Sequence, residues 1–150
     1  MAGRRNKSSG TYSELTQLGA ATAVPASPDA AALERVPNPH PRKLYLARFT
    51  APEFTSVCPK TGQPDFGTIR VTYVPDRRCV ELKSLKLYLQ AYRSKGIFYE
   101  DVINVILDDL VTAMRPRRLT VEGDFRVRGG ISSLVTATYE APVKGHGRTR

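Results

Sequence analysis

Lys83-Ser-Leu-Lys-Leu-Tyr-Leu-Gln-Ala-Tyr-Arg-Ser94 and, beyond Gly96, Glu100-Asp-Val-Ile-Asn-Val-Ile-Leu-Asp-Asp-Leu-Val-Thr-Ala-Met114 form the stretch from which the fold is read. In the first part Leu85, Tyr88, Leu89 and Tyr92 recur at helical spacing. In the second, Ile103, Ile106, Leu107, Leu110 and Met114 make one apolar stripe. Gly96 suits the first helix's end. Glu100 and Asp101 fall in the second helix's first turn, where the helix dipole favours acids. Pro116 closes it. Two successive helices with no strand between them rule out a simple alternation of strand and helix.

Outward from this pair the period changes from helical to alternating. On the N-terminal side, Gly67–Val74 places Ile69, Val71 and Tyr73 on one face and Thr68, Arg70 and Thr72 on the other, and Pro75-Asp76 ends it. Leu44–Phe49 alternates likewise and predicts an earlier strand. On the C-terminal side, Leu119, Val121, Phe125 and Val127 point one way, with Gly123 among them. Thr120, Glu122, Asp124 and Arg126 point the other way. Arg128-Gly-Gly130 breaks the run, and Leu134–Tyr139 predicts a last strand. The order strand, strand, helix, helix, strand, strand predicts an α+β fold: a four-stranded antiparallel sheet with two helices on one face. Its open edges need covering, so a homo-oligomer is expected.

Residues 1–40 are expected to be a flexible N-terminal arm, with a short helix over Ser27–Arg35. Residues 41–141 are the domain, and 142–150 a basic C-terminal tail. The chain has 150 residues, 41% hydrophobic, enough for one core. Cys58 and Cys79 are too few for a disulfide framework and predict reduced thiols. No run approaches the roughly 20 apolar residues of a membrane span, and Arg4, Arg5 and Lys7 lead into polar residues rather than a signal-peptide core. A soluble, cytoplasmic protein is expected, with no membrane partner. The 23 Lys and Arg against 14 Asp and Glu give a net charge of +9. That balance attracts phosphates. The basic residues are dispersed, and no aromatic RNA-binding signature accompanies them, so no nucleic-acid partner is expected.

The chemistry concentrates in Phe54-Thr-Ser-Val-Cys-Pro-Lys-Thr-Gly-Gln-Pro-Asp-Phe66. Pro59, Gly62 and Pro64 set a turn that can fold Asp65 back toward Cys58. A thiol and a carboxylate in one cleft can serve as nucleophile and acid. An unreactive cysteine beside a proline-rich loop is the plainer reading of the same residues.

Four stretches, in order from about residue 44 to 132, together resemble the 7-cyano-7-deazaguanine reductases, the nitrile reductases of queuosine biosynthesis. They are Glu53–Phe66, similar to that family's nucleophile loop; Glu81-Leu-Lys-Ser-Leu-Lys-Leu-Tyr88, similar to its signature for the reduced nicotinamide cofactor; Phe98-Tyr-Glu-Asp101 with Asn104 and Asp109-Leu110; and Arg128-Gly-Gly-Ile131. The length resembles the short, single-module branch. The resemblance implies the tunnelling fold, or T-fold, whose subunits close into barrels and bind purine-like ligands between subunits. It also implies reduction of the nitrile of 7-cyano-7-deazaguanine to the aminomethyl compound with NADPH and no metal. It assigns Cys58 as the nucleophile that forms a thioimide and Asp65 as the proton donor. Donation near neutrality needs a carboxyl whose pKa burial has raised. It assigns Glu81 and Glu100 to the substrate's guanine-like edge, whose two donors one carboxylate can accept, with backbone groups of Val80 and Leu82 alongside. Lys83, Ser84 and Lys86, at the start of the first helix, would meet the cofactor's phosphates with cations and free N–H groups. Arg128 and Gly129 match a segment also placed at the cofactor. Tyr99 stands beside the substrate where the family commonly has histidine; it keeps a ring and a hydrogen-bonding group but offers no imidazolium.

Three other readings compete. The zinc-dependent GTP cyclohydrolase relatives need about three protein ligands, and this chain has only His40 and His146 besides its cysteines. An amidine-forming branch uses similar Cys and Asp logic without hydride. A basic RNA-binding module would use no NADPH at all. Oxidation of NADPH when the free nitrile base is supplied separates the reductase from the last two.

Overall fold

The computed structural model describes residues 14–19, 21 and 23–142. Its strands are β1 (Arg35–Pro37), β2 (Ala47–Val57), β3 (Pro64–Val74), β4 (Arg78–Val80), β5 (Arg118–Arg128) and β6 (Ile131–Glu140). Helix α1 (Leu82–Gln90) runs into a 3-10 segment, Ala91–Ser94, and α2 (Tyr99–Met114) follows. The main sheet is antiparallel in the order β2-β3-β5-β6, and β1 pairs with β4 in a second, two-stranded sheet. The α+β order expected from periodicity is therefore present.

One core lies between sheet and helices. Ile69, Val71, Leu119 and Val121 face Leu85, Tyr88, Ile103 and Leu110, all nearly or wholly buried. Helix α2 packs on β5 and β6, while α1 and the 3-10 segment lie toward β2. Gly123 lets α2 approach β5 closely: a Cβ there would come within 2.5 Å of the Ile103 side chain. Helix α2 ends at Arg115 in the left-handed conformation, φ 50°, with Pro116 next.

The structure departs from the sequence reading in several places. The first long strand is not Leu44–Phe49: Leu44 and Leu46 are exposed loop residues, and β2 runs from Ala47 through Pro52 to Val57. Pro52 is tolerated because β2 is an edge strand and its register slips there, between Ala51 and Phe54. The helix expected over Ser27–Arg35 is only a 3-10 turn, Ala30–Ala32, capped by Asp29 and followed by β1. The end of the expected arm is thus folded onto the domain, with Leu33 buried in the core. Residues 1–13, 20 and 22 of that arm, and 143–150 of the tail, lie outside the described residues. Strands β1 and β4 are three residues each, too short for alternation to reveal.

Val127 was expected to share the inner face with Phe125, but it is 68% exposed. The register of β5 against β6 slips between Phe125 and Arg128. A one-residue slip exchanges the faces of every residue beyond it. The same holds on β2, where the inner residues are Ala47, Phe49 and Ala51 before the slip and Phe54 and Ser56 after it.

Candidate active site

The two slips deliver the site. Beyond the first, Phe54, Ser56 and then Cys58 are all buried on the inner side. The turn after Cys58 is held by its backbone: the Cys58 N–H donates to the Gln63 carbonyl at 2.8 Å, and the Gly62 N–H donates to the Cys58 carbonyl at 2.9 Å. Gly62 has φ 69°, a conformation glycine adopts without a Cβ penalty. Pro64 then starts β3, and Ser56 pairs directly with Asp65, which is 4% exposed. Cys58 and Asp65 therefore come together at one end of the hairpin.

Beyond the second slip, Arg128 joins them. Its Nη1 donates to Asp65 Oδ1 at 2.6 Å. The same oxygen accepts from the Tyr99 hydroxyl at 2.8 Å. Tyr99 opens α2, and its ring stacks on Phe125, centroids 3.8 Å apart and 9° from parallel. Burial and the neighbouring Asp65 push the Tyr99 phenol above its ordinary pKa, so it is a donor at neutral pH. The Cys58 thiol is held down at about 6, first by hydrogen bonding to Arg128, then by the Thr61 hydroxyl and by the backbone of Lys60 and Thr61. Cys58 is thus mostly thiolate at neutral pH.

These groups line a cavity of about 300 Å³ whose walls include Cys58, Asp65, Tyr99, Glu100 and Arg128. Glu100 is an exposed residue of the first turn of α2. A larger cavity of about 930 Å³ lies between α1 and strands β2 and β3, lined by Glu81, Leu82, Lys83, Lys86, Arg93 and Arg126 among others. The Arg126 guanidinium sits 5.9 Å from the centroid of the Phe66 ring in that wall.

The expected site residues therefore divide. Cys58, Asp65, Tyr99 and Glu100 share the smaller cavity, and Arg128, expected with the cofactor residues, joins them there. Leu82, Lys83 and Lys86 line the larger one. Gly129 lines neither; with Gly130 it closes the β5–β6 hairpin at positive φ. Val80 is buried in β4.

The start of α1 differs from expectation. Its first N–H groups are not free: Glu81 is the N-cap, and its carboxylate accepts from the N–H of Lys83 at 2.9 Å and of Ser84 at 2.7 Å. A carboxylate there occupies the place a phosphate would take. Ser84 is fully buried, its hydroxyl donating to the Glu81 carbonyl and accepting from the Glu34 N–H. It presents nothing to a cofactor. Lys83 Nζ donates to the Gln17 carbonyl of the N-terminal segment. Thr61, Arg93 and Arg126 are contributors that sequence reasoning passed over. By alternation alone Arg126 belongs to the outer face of β5.

A sequence model of the family described as QueF-like protein matches residues 64–144. Among curated proteins, the NADPH-dependent 7-cyano-7-deazaguanine reductase of Methylorubrum extorquens (strain PA1) is 60% identical over 128 residues, 85% of this chain and 84% of that protein. The protein of the same name from Thermomicrobium roseum is 57% identical over 116 residues, 77% of this chain and 91% of that one. Among solved structures, the archaeosine synthase QueF-Like in the apo form overlays with a TM-score of 0.60, covering 65% of this chain and 95% of that one. At 23% identity that likeness concerns the fold alone.

Proposed function

This chain belongs to the QueF-like protein family, and from that premise we infer that it is an NADPH-dependent 7-cyano-7-deazaguanine reductase, an oxidoreductase of queuosine biosynthesis with a T-fold subunit. The observation that carries the reaction onto this chain's own atoms is the meeting of Cys58, Asp65 and Arg128 around one cavity.

A nitrile carbon is electrophilic but resists direct hydride attack. Addition of sulfur turns it into a trigonal thioimide carbon that accepts hydride more readily. Arg128 holds Cys58 as the thiolate that adds. As the S–C bond forms, one C–N π bond opens and its electron pair moves to nitrogen. Asp65 takes up the proton that the Cys58 thiol gives up and passes it to that nitrogen, so the addition is balanced. Tyr99 and Arg128 orient the Asp65 carboxyl through the oxygen they share. Once the thioimide carbon has been reduced to the tetrahedral stage, the nitrogen lone pair expels sulfur, the C–S bond breaks to leave an imine for the second reduction, and the thiolate returns to the guanidinium.

Bound NADPH supplies the two hydrides that the nitrile needs. The larger cavity fits such a dinucleotide: Lys83, Lys86, Arg93 and Arg126 place positive charge around apolar walls that include Phe49, Phe54 and Leu89. Those cations are the residues to hold its phosphates. Glu100, at the smaller cavity, accepts the ring N–H and amino donors of the base.

The working unit is a homo-oligomer. Edge strands β2 and β6 carry open backbone groups, and Ile131 and Leu134 on β6 are exposed. Covering those edges would also complete sites lying between subunits. The substrate is the free base, in the cytoplasm, and no nucleic acid takes part.

The test is mass spectrometry of the protein mixed with 7-cyano-7-deazaguanine without NADPH, beside NADPH absorbance with both present. Addition loses no atoms, so each chain should gain the mass of one substrate. Cys58→Ala should show neither adduct nor turnover, Cys79→Ala should retain both, and Asp65→Asn should be impaired in both. An adduct on Cys79, or turnover by Cys58→Ala, would overturn the assignment.

A further inference from the structure

Residues 14–19 reach the larger cavity, and Leu18 is part of its wall. The segment is tied down by side chains. Thr16 donates twice to one carboxylate oxygen of Glu34, from its N–H at 2.9 Å and from its hydroxyl at 2.5 Å. Gln17 Nε2 donates to the Ala32 carbonyl at 3.4 Å. Glu34 is itself fixed to the start of α1: its N–H donates to the Ser84 hydroxyl, and its carbonyl accepts from the Glu81 N–H. The segment in turn holds α1, since the Gln17 carbonyl accepts from Lys83 Nζ. That bond fixes where the ammonium stands along the cavity. Leu18 is 57% exposed, an apolar side chain at a wall that also holds Leu82 and Leu89. Among the described residues Gln17 Oε1 and Glu34 Oε2 are buried without a hydrogen-bond partner. Buried acceptors left unpaired are costly, so the joint is weaker than its bonds alone suggest, and a ligand that touches the segment can strengthen it.

We propose that residues 14–19 are a clamp of the cofactor site: Gln17 sets the Lys83 ammonium toward a phosphate of the dinucleotide, and Leu18 covers apolar surface beside that phosphate. Thr16 and Gln17 are positioning residues that act through Glu34 and Lys83; Leu18 touches the ligand. A lysine already held in place loses less rotamer freedom on meeting a phosphate than a mobile one does. The exposed area of Leu18 leaves water when the cavity fills. The coupling is reciprocal: the segment strengthens cofactor binding by the same factor by which the cofactor strengthens the segment's hold. None of residues 14–19 lines the smaller cavity. The role rests on the reading of the larger cavity as the cofactor site.

The experiment titrates the protein with NADPH, without the nitrile, by cofactor fluorescence, and follows hydrogen exchange of residues 14–19 with and without NADPH. In the unmutated protein NADPH should slow exchange across the segment. Thr16→Pro, which removes both bonds to Glu34, should bind NADPH about tenfold more weakly, and Leu18→Ala about threefold. Thr16→Ser, which keeps both donors, should bind as the unmutated protein does. The adduct formed without NADPH should keep its rate in Thr16→Pro, because the segment does not reach the smaller cavity. Unchanged NADPH affinity in Thr16→Pro and Leu18→Ala overturns the proposal. So does tighter binding, which would mean that the segment competes with the cofactor, and so does exchange that NADPH leaves unchanged or speeds up. A fall in adduct rate parallel to the fall in affinity also overturns it, as general damage to the fold. Lys86→Met and Arg126→Met separate the two readings. If they weaken NADPH binding while the segment variants do not, the cavity still holds the cofactor and only the clamp is lost. If none of these variants weakens binding, the larger cavity is not the cofactor site.

Discussion

Cys58 carries two properties that pull apart in most proteins: it is 8% exposed, yet its thiol titrates at about 6. Burial alone would raise that pKa; the hydrogen bond from Arg128, with those of Thr61 and the Lys60–Thr61 backbone, outweighs it. The rate of Cys58 alkylation by iodoacetamide should therefore rise with pH through a midpoint near 6 and then level off. In Arg128→Gln the midpoint should move toward the roughly 8.5 of an ordinary thiol. An unmutated midpoint at that ordinary value would contradict the role given to Arg128. Stability follows the same group. The folded thiol has the lower pKa, so between the two values the unfolded chain binds more protons and stability rises with pH. The contribution is complete above the unfolded pKa, about 8.5, and is lost as pH falls through about 6. Cys58→Ala should lack this part of the pH dependence of melting.

At the scale of the element, Glu81 shows how one carboxylate can be spent. It caps α1 through both oxygens and is 7% exposed, although it also borders the larger cavity. Losing a side-chain cap typically costs about 0.5–2 kcal/mol, so Glu81→Ala should lose that much unfolding free energy and unfold at lower urea. Glu81→Gln, whose amide oxygen can still accept, should lose less. Unchanged stability in Glu81→Ala would mean that the cap contributes nothing and that the residue serves only ligands. The slips in β2 and β5 act at the same scale. Each lets a strand carry one residue that faces no partner, and each changes which side chains reach the inner face.

For the whole molecule, the net charge of +9 and the cations lining the larger cavity both favour an anionic ligand, as the proposed cofactor site requires. NADPH should be preferred to NADH, and added salt should weaken its binding, because exposed charges are screened over about 10 Å at 0.1 M. Equal efficiency with both cofactors at low salt would count against that assignment. The two open edges of the sheet are where the proposed assembly would form. Light scattering should find a closed oligomer, and any stable monomer should lose turnover. A fully active monomer would show that the sites are complete within one chain.

Periodicity by itself determined that two helices sit between two pairs of strands, because a stripe such as Ile103, Ile106, Leu110 and an alternation such as Ile69, Val71, Tyr73 each fit one kind of backbone. The loop from Cys58 to Asp65 was likewise legible, since Pro59, Gly62 and Pro64 leave it few conformations. What only the tertiary structure decided is which side chains face which way beyond Ala51 and beyond Phe125. Alternation records parity, and a single unpaired residue reverses it; where that residue falls depends on pairing with another strand, which lies far away in sequence. For that reason Arg128 reaches Asp65, and Val127 faces out. The bond from Lys83 to the Gln17 carbonyl is hidden from sequence for the same reason, because every residue carries a backbone carbonyl and only the fold brings this one to a lysine 66 positions away.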